Sequence, residues 1–544
     1  LTALPLLAAA LCPAAANADV DTPALNAYAR ARLADGEGAL NLAVSSYRQA
    51  LAIDPSSKVV ALRSYRQAIE SGDRKLALSS AYILDRANAL PKDGALLLTV
   101  DALDRKDWAT ARLLSRRMVS EANFGFLAPI LDSWISTASG PYAPPVAGEE
   151  GRFGALTQRY IDEHRALQLL SQGQGDAAMP AIGQAIAMAS GGGMGMRLEF
   201  AMRLAALGKK DEALVLLPEQ APVLASARAE IARGKRPSVQ PITPAEGFAR
   251  LLGRLGDDLS TTDSRSISLV LLRIASFADP GNAEYRTGVA RQLSVQRHPE
   301  SALAEAEKVP AKSPFYLAAQ DVRVEALAAS GREDEAVALA RQVATRPDAG
   351  AGEQTRLANI LVDGKQYDAA VDAYRAAKAR YPANSVPWTL YLLEGSALER
   401  GGRWDEGKVA LEKAAALAPE EPAVLNYLGY AQVERGQNVE AALALLEKAS
   451  RLKPDDPSIT DSLGWGRYKA GDPKGAVIVL EKAAEAAPDD VTINEHLGDA
   501  LWTVGRRFEA RYAWAAASTF ADAADADRIG RKMREGLNAR DAAH

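Results

Sequence analysis

A Leu-Gly pair returns three times near the end of the chain, at Leu428-Gly429, Leu463-Gly464 and Leu497-Gly498, at intervals of 35 and 34 residues. A period of that length is one supersecondary unit per repeat. It restricts the chain to architectures in which each unit buries its apolar face against the next. Further residues recur at fixed offsets. A second glycine follows seven residues later, at Gly436, Gly471 and Gly505, and an alanine five residues after that, at Ala441, Ala476 and Ala510. An upstream unit fits the same frame with Gly395, Gly402, Leu411, Ala414 and Pro419.

These residues resemble the tetratricopeptide repeat, a pair of antiparallel helices, A and B. That family places a small residue where the two helices cross, a glycine or polar residue in the turn, an alanine in helix B and a closing proline. Each has a physical reason. The crossing glycine lets the helices approach without a side chain between them. The turn glycine accepts a left-handed backbone, and the proline ends one helix and starts the next. The resemblance implies an all-α fold, an α-α superhelix or solenoid.

Weaker copies run further back. GKQYDAAVDAYRAAKARYP and GREDEAVALARQVATRP precede the clear repeats, and GALNLAVSSYRQALAIDP near the start matches a helix B with Ala43, Tyr47, Ala50 and Pro55. Breaks fall at SGPYAPPVAGEEG, SGGGMG and KRPSVQPITP. The expected organisation is a leader over 1–18, repeats over 19–138, and irregular helical repeats with long loops over 139–245. Degenerate repeats follow over 246–350, clear repeats over 351–520, and a capping helix with a frayed tail over 521–544.

The leader reads LTALPLLAAALCPAAANA and ends in Ala16-Asn17-Ala18, a signal-peptidase pattern with cleavage expected after Ala18. A positive n-region and an initiator methionine are missing, so a clipped start or a non-standard start codon is expected. Pro5 and Pro13 interrupt the apolar core, which argues against a membrane span. Leu11 precedes Cys12 where lipid attachment wants a small residue, so a lipid anchor is disfavoured. Cys12 is the single cysteine. A mature chain without it forms no disulfide and no thiolate metal site. The expected location is the periplasm, with outer-membrane association as the alternative.

Lys and Arg total 64 against 69 for Asp and Glu, a net charge of −5 with both signs interspersed, which disfavours a nucleic-acid partner. Nothing in the pattern supplies chemistry. SGGGMG lacks the Gly-Lys-Ser/Thr of a phosphate loop and has no strand before it. The histidines His164, His298, His496 and His544 form no i, i+4 pair, and no G-x-S-x-G elbow occurs. The chain reads as non-catalytic, with no cofactor and no metal.

In the tetratricopeptide family the A helices line the groove that takes partners. Counting the crossing glycine as position eight, the inward positions in the last three repeats are Asn426, Tyr430 and Glu434, then Asp461, Trp465, Tyr468 and Lys469, then Glu495, Asp499 and Trp502. Aromatic residues give large contact area at small entropic cost, which suits peptide capture. The same spacing also suits aromatics packed between successive A helices. The Lys-Asn clamp that some family members use for a free carboxylate is not reproduced, and the acidic stripe fits a basic or apolar ligand.

The two ends of the chain, YARARLADGEGALNLAVSSYRQALAIDP and DSLGWGRYKAGDPKGAVIVLEKAAEAAP onward, resemble long exported tetratricopeptide proteins of proteobacteria. The resemblance implies a non-catalytic scaffold or adaptor of the cell envelope that holds partner proteins or peptides. The alternatives are an envelope-assembly or polysaccharide-export component, a substrate-presenting adaptor for a periplasmic carboxyl-terminal-processing protease, or a hydrolase with a hidden site in 139–245.

Overall fold

The computed structural model describes residues 18–147, 154–189, 193–219, 221–260, 265–347, 349–382 and 384–538. The leader through residue 17, the first part of SGGGMG and the last six residues, His544 included, lie outside this set. Every regular element among the described residues is helical. The chain divides into two compact units, Leu1–Asp348 and Ala349–His544.

In the first unit the helices are α1 (Ala18–Gly36), α2 (Leu40–Ile53), α3 (Lys58–Ser71), α4 (Arg74–Arg86), α5 (Gly94–Asp104), α6 (Trp108–Ser120) and α7 (Ala128–Ser139). There follow α8 (Gly154–Ser171), α9 (Gly175–Ala187), α10 (Met194–Ala206), α11 (Lys210–Val215) and α12 (Pro222–Ala232). The unit ends with α13 (Pro244–Leu259), α14 (Arg265–Ala278), α15 (Ala283–Val295), α16 (Pro299–Ala306), α17 (Tyr316–Ala329) and α18 (Glu333–Ala344). The second unit holds α19 (Ala351–Asp363), α20 (Tyr367–Lys378), α21 (Trp388–Arg400), α22 (Trp404–Leu417), α23 (Pro422–Glu434) and α24 (Val439–Leu452). It closes with α25 (Pro457–Lys469), α26 (Pro473–Ala486), α27 (Val491–Thr503), α28 (Arg507–Phe520) and α29 (Ala523–Glu535).

In the second unit the helices pair as A and B, α19 with α20 through α27 with α28, and each pair stacks on the next. The recurrent glycines explain the pairing. A Cβ on Gly395 would stand 2.7 Å from Leu411, and one on Gly464 would stand 2.6 Å from Leu480. Gly429 meets Leu446 and Gly498 meets the Trp514 ring in the same way. The turn glycines Gly402, Gly436, Gly471 and Gly505 all have positive φ, between 63° and 90°. Pro422, Pro457 and Pro473 sit in the first turns of their helices, and the Asp456, Asp472 and Asp490 carboxylates cap α25, α26 and α27.

One offset needs correction. Ala476 and Ala510 are buried, but Ala441 is exposed and Ala442 takes its place in the core. The turn after Gly436 carries one extra residue, with Asn438 at φ +49, so α24 starts one position later than the spacing implies.

The first unit departs from a simple succession of neighbours. The α13–α14 pair packs back on α3, α5 and α7. Arg273 of α14 donates to the carbonyls of Ile69 (3.0 Å) and Glu70 (2.9 Å) in the last turn of α3. It also donates to Glu305 at 2.7 Å. Gly247 of α13 leaves room for the Trp134 ring of α7. No helix among the described residues is long and apolar enough to cross a membrane.

Candidate functional site

The A helices of the second unit carry all ten groove positions, and the structure divides them. Asp461, Trp465, Glu495 and Asp499 are buried, whereas Asn426, Tyr430, Glu434, Tyr468 and Trp502 are half-buried and Lys469 is exposed.

The buried four are covered by the next A-type helix along. On α25, Trp465 stacks on His496 of α27 with ring centroids 4.0 Å apart and planes 9° off parallel, and on Tyr468 at 4.7 Å. The Trp465 Nε1–H donates to Glu434. His496 Nδ1 lies 3.0 Å from both carboxylate oxygens of Asp461. Burial opposes the charged imidazole, but the Asp461 carboxylate beside it, with Asp499 and Glu434 further off, holds the His496 pKa above its ordinary value.

On α27 the cover is α29. The Lys532 ammonium is fully buried and donates to Glu495 at 2.6 Å and to both oxygens of Asp499 at 2.8 Å. Arg528 also pairs with Glu495, and Trp514 donates to Asp499 at 2.9 Å. Beyond α29 the chain passes over Trp502, where Gly536 sits against the indole at φ +87. Arg507 and Arg511 stand over the same ring at 5.1 and 4.9 Å. Sequence reasoning did not pair Lys532 and Arg528 with these carboxylates. Lys532 lies in the last turn of a helix otherwise read as a cap, and Arg528 lies one turn before it.

The open part of the face lies one repeat earlier. A cleft of about 480 Å³ is lined by Glu399, Tyr427, Tyr430, Ala431, Glu434 and Arg435. It adjoins a hollow of about 280 Å³ where Asn426, Tyr427 and Tyr430 meet Asp461 and Asp490. The Asn426 side-chain oxygen is buried and has no hydrogen-bond partner among the described residues. The Tyr427 hydroxyl donates to Glu399 at 3.2 Å and lies 2.9 Å from the Ser396 hydroxyl, which can donate to it, and this fixes its ring. Burial, reinforced by the carboxylates of Glu434 and Asp461, pushes the Tyr430 phenol well above its ordinary value, so it stays a neutral donor. Tyr427 was not among the expected positions. Its place three residues before Tyr430 puts both rings on one helix face.

His164 and His298 have structural partners. His164 is buried and its Nδ1 accepts from the Trp134 indole at 2.9 Å, and burial lowers its pKa to about 3. His298 Nε2 lies 2.8 Å from Glu70. No group of three His, Cys, Asp or Glu residues able to hold a metal ion occurs among the described residues. Of the SGGGMG run, Gly193 at φ +57 starts α10.

Paired helices with glycine crossings, stacked through shared A and B faces, define a helical-hairpin repeat protein. Residues 354–384, which take in most of α19 and all of α20, match the model of the tetratricopeptide repeat family. No curated protein matches the sequence. Similar solved structures include MamA MSR-1, 21% identical, covering 31% of this chain and 95% of that one at a TM-score of 0.26. The Cut9–Hcn1 hetero-tetramer of APC/C is 12% identical over 96% of this chain and 98% of that one, at a TM-score of 0.39. Yeast Tom70 is 12% identical over 95% and 97%, at 0.36.

Proposed function

We propose that the chain is a non-catalytic scaffold of the cell envelope that holds a segment of a partner protein on the A helices of its second unit, across Asn426, Tyr427 and Tyr430. One observation carries this reading. Asn426 has a buried acceptor with no partner among the described residues, beside two tyrosines and an open cleft. Leaving a buried acceptor unpaired costs about 1–3 kcal/mol, which the backbone N–H of an extended segment would recover. Glu399, Glu434, Asp461 and Asp490 around the tyrosines favour a segment with basic or apolar side chains. The envelope location rests on the Ala16-Asn17-Ala18 pattern of the leader.

Site-specific photocrosslinking in cells tests the groove. A benzoylphenylalanine in place of Tyr430 should give a discrete partner adduct, and the same label at Ile478, 71% exposed on α26, should not. Asn426→Ala should weaken the adduct without lowering the melting temperature. Adducts from Ile478 alone would refute the assignment. Amino-terminal sequencing of the fractionated protein checks the location, with a mature start at Asp19 expected.

A further inference from the structure

Helices α8, α10, α13, α14, α15 and α17 of the first unit converge on a cavity of about 370 Å³. Its wall carries both signs of charge: Arg250, Arg254 and Arg291 against Glu163, Asp257 and Glu284. The two signs feel one another across the cavity: Arg254 and Arg291 act on Asp257, and Arg250 and Arg254 act on Glu163 and Glu284. Arg254 reaches Asp258 at 3.5 Å and Glu163 at 4.0 Å, and Arg250 pairs with Glu199, outside the cavity wall, at 3.3 Å. Arg291 is exposed at the cavity and, among the described residues, makes no hydrogen bond or ion pair. The Glu284 carboxylate likewise has neither there.

The rest of the wall is thin or apolar. Any side chain on Gly195 would collide with the Glu284 carboxylate, and one on Gly253 would stand 2.5 Å from the Tyr285 ring. Met194, Met196, Leu272 and Phe315 supply an apolar flank. A ligand of single charge placed here would satisfy one set of groups and be repelled by the other. A ligand with both charges a few bonds apart satisfies both sets.

We propose that this cavity binds a zwitterion bearing an aliphatic side chain, a free amino acid or a short peptide, with its carboxylate on Arg291 and Arg250 and its ammonium on Glu284. Burial raises the Glu284 carboxyl to about 7 against the pull of Arg250, with Asp257 and Glu163 adding to the rise and Arg254 resisting it. An arriving ammonium adds a counter-charge in direct contact with this carboxyl, which has no ion pair among the described residues. The site belongs to the first unit and does not depend on the groove reading of the second.

Calorimetric titration of the full chain with four probes tests it: L-leucine, L-leucyl-L-leucine, L-leucine amide and N-acetyl-L-leucine. At least one zwitterion should bind, and the two singly charged derivatives should bind about tenfold more weakly or worse. Leucine without the dipeptide identifies a free amino acid as the natural ligand, and the dipeptide alone identifies a peptide. Arg291→Gln and Glu284→Gln should each weaken binding about tenfold with an unchanged melting curve. If one variant misfolds, the other decides. Equal binding of a blocked derivative, no heat from either zwitterion at millimolar concentration, or folded variants that bind like the intact protein would overturn the proposal.

Discussion

At the scale of single residues, His496 is the most informative side chain in the second unit. It is fully buried, sandwiched on Trp465 and paired with Asp461, and its Nε2 has no partner among the described residues. The folded state holds the imidazole proton more tightly than the unfolded chain does. The pairing therefore adds its full stabilisation below the ordinary imidazole value of about 6.5 and gives it up as pH rises through the raised folded value. Urea unfolding followed by tryptophan fluorescence should show the second unit losing stability as the pH rises above the ordinary imidazole value of about 6.5. His496→Gln should flatten that slope. A slope unchanged in the variant would mean that another group titrates.

At the scale of elements, α29 does for α27 what α27 does for α25: it lays a helix over groove positions and supplies the opposite charge. Lys532 sits between Glu495 and Asp499 with no solvent contact. Removing one partner of such a cluster leaves buried carboxylates uncompensated, at a cost of about 3–5 kcal/mol. Lys532→Met should thus lower the unfolding free energy of the second unit by about 3 kcal/mol, since Arg528 and Trp514 still reach the carboxylates. Adding Glu495→Gln and Asp499→Asn to that variant should restore part of the loss. Denaturant titration checks both, and a neutral Lys532→Met would show that the cluster does not hold α29 in place.

At the scale of each unit as a whole, the two are organised differently. The second stacks sequence neighbours. The first adds contacts across more than two hundred residues, with Arg273 bonded to Ile69 and Glu70 at separations of 204 and 203. Arg273 is 3% exposed, and its loss would take the donor from the Glu70 carbonyl and the nearest cation from Glu305, which keeps Lys308 at 3.0 Å. Arg273→Leu should cost the first unit about 3 kcal/mol. Hydrogen exchange should then accelerate at the end of α3 and in α14 and stay unchanged in α23 through α28. Uniform acceleration along the chain would count against a local clasp.

The helix pairs of the second unit were legible because their causes are local and periodic. A crossing glycine, a turn glycine and a proline at fixed offsets dictate two helices and the closeness of their approach, as Gly464 against Leu480 shows. The one slip, Ala441 for Ala442, came from a single inserted turn residue that the count did not register. Which groove positions stay open was not legible. Asp461 and Trp465 occupy the positions of the half-buried Asn426 and Tyr430 one repeat earlier, and Glu495 and Asp499 occupy them one repeat later, yet these four are closed by His496, Lys532 and Arg528 arriving from other helices. The return of α13 and α14 onto α3 left no trace in the repeat period. Spacing along a chain encodes contacts within a repeat and with the next one. Burial and charge pairing between distant helices depend on where those helices come to rest in space, so the tertiary structure alone decided them.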